Sequence, residues 1–135
     1  MENPENVSSE PVFTIAGVQY RHHKNGGGLV ADTAKVSEQA YVYFRSVVHA
    51  KATVGDKAKI CGRAEISGSA HVIDSAVIGG NARISGDAVI FDKALILGNA
   101  HVFGSARVGG SATIGGIKKV SGTTEITSGR HEMNC

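Results

Sequence analysis

An aliphatic residue recurs at every sixth position from Val36 to Ile126, sixteen times without a skipped or stretched step. That spacing excludes an amphipathic helix, whose apolar residues return about every 3.6 positions. It also excludes the longer strands and wider turn spacing of an ordinary antiparallel sandwich. Two residues before the aliphatic stands Ala in 13 of the 16 units, from Ala34 to Ala112, with Ser46, Lys118 and Thr124 in the others. An i, i+2 pair shares one face of a strand, so Ala and Val/Ile point the same way. From Asp56 to Gly122 the residue two after the aliphatic is Gly or Asp, as at Asp56, Gly62, Gly68, Asp74, Gly80 and Gly86. Both accept a left-handed backbone. The unit is therefore a strand of about three residues and a tight bend, repeated as a solenoid.

Composition follows from that unit. The 135 residues include 18 Gly, 2 Pro and no Trp, with 5% aromatic against 41% hydrophobic residues. A core of small aliphatics stacked repetitively fits this balance, and neither collagen nor a disordered chain does. A net charge of +2 with 19% charged residues provides no basic stripe, so no nucleic-acid partner is expected. Residues 1–10 carry neither the basic nor the apolar part of a signal peptide, and no stretch reaches the length of a membrane span. The expectation is a cytoplasmic protein with no membrane partner. Cys61 and Cys135 form neither a metal-type pair nor a secreted-type disulfide framework, and are expected to be thiols.

The runs Val108-Gly-Gly-Ser-Ala-Thr113 and Ile84-Ser-Gly-Asp-Ala-Val89 resemble the hexapeptide-repeat family: an aliphatic, a small or acidic residue, two variable positions, a small residue and one variable position. The resemblance covers residues 28 to 127. It implies an all-β fold, a single-stranded left-handed parallel β-helix with three hexads per coil and about five coils. The style of the repeats and the entry segment Gly26-Gly-Gly-Leu-Val-Ala-Asp-Thr-Ala-Lys-Val36 are similar to small bacterial or phage repeat proteins. Residues 1–10 are expected to be disordered, 11–27 to form a short N-terminal β cap over an end that would otherwise expose strand edges, and 128–135 to be a polar tail.

With 18 residues per coil, outward positions sort by face. The first face, through Val48, Ile66, Ile84, Val102 and Val120, shows Glu65, Ser67, Arg83, Ser85, His101, Lys119 and Ser121, with Phe103 the apolar exception. A second face, through Val54, Val72, Ile90 and Val108, presents Ile73, Val89 and Phe91; a third, through Ile60, Ile78 and Ile96, presents Val77, Leu95 and Leu97. These six fall in two adjacent coils and are expected to form one apolar patch around an edge, an interface for self-association as a dimer or trimer or for a protein partner.

Many hexapeptide-repeat proteins are acyltransferases with a histidine base at a subunit boundary, and the resemblance makes His101 and His71 the catalytic candidates. They lie on different faces, only Asp74 and Asp92 stand at corners near His71, and no loop breaks the repeat to build a cleft. Both read as surface histidines, as does His49 above Ser67 and Ser85. The family's zinc-dependent carbonic anhydrases need three converging histidines. The positions stacked on His71 are Val89 and Arg107, and those on His101 are Arg83 and Lys119, so no metal site is expected. His22 and His23 point apart in an extended segment. Thr is too scattered for an ice-binding array, and Cys61 reads as inert. The expectation is a non-catalytic scaffold or binding protein without a cofactor. The alternatives are an acetyl-CoA-dependent acyltransferase and a phage-borne inhibitor or adaptor that occupies a host protein's surface.

Overall fold

Each hexad becomes two residues of strand and four of corner. In the computed structural model, which describes residues 13–131, β1 (Phe13–Ile15), β2 (Val18–His22) and β3 (Leu29–Ala31) lead into a two-residue strand every six positions. These run from β4 (Lys35–Val36), β5 (Tyr41–Val42) and β6 (Val47–Val48) to β17 (Thr113–Ile114), β18 (Lys119–Val120) and β19 (Glu125–Ile126), followed by β20 (Arg130–His131). The stretch 1–10, expected to be disordered, and residues 132–135 lie outside the described residues. Within each strand the aliphatic points inward and its predecessor outward, the alternation a pleat imposes. The strands are one residue shorter than expected because a β-turn claims the residue after the aliphatic, as in the Ala64 amide donating to the Cys61 carbonyl at 3.2 Å.

Residues 18 apart pair in parallel, for example Val48 with Ile66 and Ile84 with Val102. Three sheets result, one of eight strands including β1 and β2 and two of six, wound as a parallel β-solenoid of about five coils. Val, Ile and Ala fill its axis, and from Ala40 to Ile114 they are almost wholly buried. Such shape-matched packing leaves no room for a ring. Among the described residues no helix is long and apolar enough to cross a membrane.

The corner residue is left-handed in every unit from Ala50 to Gly122. Glu38 and Phe44, at the same position in the first coil, are not. Two corners are columns of glycine after their first coil. The corner between the second and third faces instead stacks Asp56, Asp74 and Asp92. Each carboxylate there accepts the amide hydrogen of the corner residue one coil on: Asp74 to Asp56 at 3.2 Å, Asp92 to Asp74 at 3.0 Å, Gly110 to Asp92 at 3.2 Å.

The N-terminal end is closed by added strands and a plug. β1 and β2 form a hairpin through Ala16 (φ 52°) and Gly17 (φ 83°), and β2 pairs antiparallel with β3. The loop after β2 satisfies the edge of β5: the Gly28 amide donates to the Val42 carbonyl at 2.7 Å and the Val42 amide to the Asn25 carbonyl at 3.0 Å. Gly28 is required there because a Cβ would collide with the Val42 carbonyl and side chain. His23, 1% exposed, lies across the end of the core with Nε2 2.9 Å from the Ala40 carbonyl. At the other end the last coil is one residue short, since Thr113 pairs with Arg130 rather than with the residue 18 positions on.

Candidate functional site

The six apolar residues singled out by sequence occupy two faces separated by a polar corner. Val77 and Leu95 are in register on the third face, with Leu97 37% exposed beside them. Val89 stands on the second face between His71 and Arg107. Ile73 and Phe91 lean over the glycine notches of neighbouring coils, Ile73 at Gly55 and the Phe91 ring at Gly109, while Leu97 fills the notch at Gly79. Phe91 is further covered by the Arg107 guanidinium, 5.7 Å from its centroid. Between the two strips runs an open groove lined by Asp74, Ser75, Asp92, Lys93, Gly110 and Ser111. Geometry thus sets Val77, Leu95 and Leu97 together on one face; Ile73, Phe91 and Leu97 each rest against a glycine of their own molecule, and of the three Leu97 remains the most exposed.

His101 and His71 stay apart. His71 is exposed on the second face, between Thr53 and Val89. His101, on the first face, is in register with Arg83 and Lys119, rests on Phe103 at a centroid distance of 4.5 Å, and has Nε2 3.4 Å from Ser85 Oγ. Partial burial, then Arg83 and Lys119, push its pKa below the ordinary histidine value. The folded ring therefore takes up its proton less readily than the unfolded one. Its contribution to stability is complete above about pH 6.5 and declines as pH falls through that value toward the depressed folded pKa. NMR titration should place the His101 midpoint below 6.5, and Arg83→Ala should raise it; a midpoint unmoved by Arg83→Ala would remove the arginine from the cause.

His49 is held far more firmly than a solvated surface residue. Its Nε2 is 3.2 Å from Glu65 Oε2 and its Nδ1 2.9 Å from the Tyr20 hydroxyl, with the Tyr20 ring edge-on at 5.8 Å. A carboxylate only accepts, so in the neutral ring Nε2 carries the proton and Nδ1 accepts from Tyr20. Glu65 Oε1 continues to Arg83 Nε at 3.7 Å. With both ring nitrogens engaged, His49 has no lone pair to offer a substrate. This chain of contacts locks the hairpin to the first face. Sequence missed it because Tyr20 comes from outside the repeat.

His22 and His23 do point apart, His22 Nδ1 to the Gly27 carbonyl at 2.6 Å and His23 into the core. No group of three His, Cys, Asp or Glu among the described residues is placed to hold a metal ion. Burial pushes the Cys61 thiol up, with Lys59 opposing, which lowers the thiolate fraction a nucleophile needs. A second grouping also escaped the sequence reading: Tyr41, Tyr43 and Phe44, exposed by 40, 42 and 67%, stand together at the N-terminal end of the third face. The chain matches no protein-family model, no curated protein and no solved structure.

Proposed function

We propose that the chain is a hexapeptide-repeat protein that acts without catalysis, as a rigid element that self-associates or meets a protein partner through the apolar side of its third face. The observation that carries this reading is the strip of Val77, Leu95 and Leu97 on a regularly paired sheet. A sheet whose backbone is fully paired buries its outward aliphatics on contact without reshaping, so association costs little ordering entropy. The unbroken repeat supports the non-catalytic part, because a base needs a pocket that holds its substrate and excludes water. The expected home is the cytoplasm, where Cys61 would remain a thiol.

Sedimentation of the purified 14.0 kDa chain should show a dimer or trimer. Leu97→Glu should give a monomer with unchanged circular dichroism, because the paired backbone around it is kept, and with a slightly lower melting midpoint from the lost contact at Gly79. A wild-type chain that sediments as a monomer at tens of micromolar sinks the self-association reading.

A further inference from the structure

We propose that the N-terminal end of the third face is a docking site for a short acidic peptide segment of another protein, anchored by an apolar side chain. Its elements are the rings of Tyr41, Tyr43 and Phe44 and the cations Arg45, Lys59 and Arg63. The proposal does not depend on self-association through Leu97.

Nothing in the solenoid requires these rings. Tyr41 and Tyr43 are the outward neighbours of Val42, positions that later coils fill with Lys59 and Cys61, then Val77 and Gly79. Three of the seven aromatic residues in the chain are nevertheless gathered here and left exposed. They are also ordered in advance. The Tyr41 and Tyr43 rings lie 5.9 Å apart at 34°, Lys59 Nζ stands 6.0 Å from the Tyr41 centroid, and Arg45 Cζ stands 5.4 Å from that of Phe44. Their backbone is pinned on both edges, the Tyr41 and Tyr43 amides donating to the Ala58 and Ile60 carbonyls at 3.0 and 2.9 Å while Asn25 and Gly28 hold Val42. Rigid aromatic anchors bind at low entropic cost.

The cations beside them have no carboxylate partner among the described residues. Arg21, Arg83 and Arg107 each meet a carboxylate, Asp32, Glu65 and Glu125 respectively. Among the described residues no carboxylate pairs with Arg45, Lys59 or Arg63. The acids of the adjoining corner are committed: Glu38 to Lys24 at 3.7 Å, and Asp56 to the Asp74 amide. Carboxylates of a partner would complete this end and fix their register by charge.

The extent of the site selects the occupant. In the same columns the third and fourth coils carry Val77, Asn81, Leu95 and Asn99, so the cationic end spans two coils only. A single-stranded nucleic acid wants a longer phosphate track, about 4–16 nucleotides. A base inserted between the tyrosines would need roughly twice the 3.4 Å stacking rise, more than the 5.9 Å the rings leave. Three or four extended residues span about 10–14 Å, which suits a footprint two coils high.

The test is fluorescence anisotropy at low salt with a labelled peptide alternating Glu with Leu and Phe, its Gln-for-Glu counterpart, and a short oligothymidylate. The acidic peptide should bind about tenfold tighter than the Gln peptide and weaken as salt rises. Both Tyr43→Ser and the double variant Arg45→Glu/Lys59→Glu should lose about tenfold in affinity while keeping the wild-type melting curve and sedimentation. Equal binding of the Gln peptide, tighter binding of the oligothymidylate, or folded variants with undiminished affinity would each overturn the proposal. A monomeric wild type that still binds the acidic peptide would discard self-association and leave this site standing.

Discussion

Replacing Gly80 with alanine is expected to lower the unfolding free energy by about 2–5 kcal/mol, measured by denaturant titration. Gly80 has φ +61°, and a Cβ built there would lie 2.7 Å from both the amide nitrogen and the carbonyl oxygen of Gly98 in the next coil. The penalty has two parts, left-handed strain of about 1–2 kcal/mol and a backbone collision that forces coils apart at the order of 1–3 kcal/mol. Gly122 separates them. It has φ +66° but nothing within 4 Å of a Cβ, so Gly122→Ala should show the strain alone. Equal losses at the two positions would mean that coil-to-coil approach is not what keeps glycine in these columns.

Ile84→Ala is expected to cost about 2–5 kcal/mol, with the midpoint of unfolding shifting and its slope preserved. Ile84 is fully buried and lies in register between Ile66 and Val102, themselves fully buried. The cavity left by its side chain is walled by backbone that parallel pairing holds in place. Collapse is therefore limited, which puts the cost toward the upper part of that range. Ile126→Ala, at a half-buried position in the last described coil, should cost clearly less. A similar loss at both positions would contradict a core whose packing is strongest in the middle coils.

The strict hexad made most of the fold legible, because each position in it has one job. The aliphatic fixes the strand, its spacing of 18 fixes the neighbour, and Gly or Asp fixes the left-handed corner, so that pairs such as Arg83 with His101 follow from counting. Where the job changes, counting fails. Phe44 occupies a corner position without a left-handed backbone, and the exposed cluster beside it flanks Val42, one coil ahead of the Ile60, Ile78 and Ile96 that define the third face in sequence. The grip on His49 depends on where a hairpin outside the repeat is laid, and on which rotamers reach across 29 residues of sequence. The polar corner that parts the two apolar strips was present in the sequence as Asp74, Ser75, Asp92 and Lys93. What sequence could not supply was the seating of Ile73 and Phe91 in neighbouring glycine notches, a matter of side-chain direction.

The aspartate column gives the solenoid a direction along its axis. Each carboxylate from Asp56 to Asp92 reaches forward, holding an amide that is synthesised 18 residues later. The hairpin pairs with β3 and β3 with β6, so the first coil stacks on a paired edge and each of the next coils on a carboxylate acceptor. Every coil then closes a loop of constant, short length, and the entropic toll of closure does not grow as the chain lengthens. The solenoid is thus polar along its axis at this corner, each coil held by a carboxylate of the coil that precedes it in sequence.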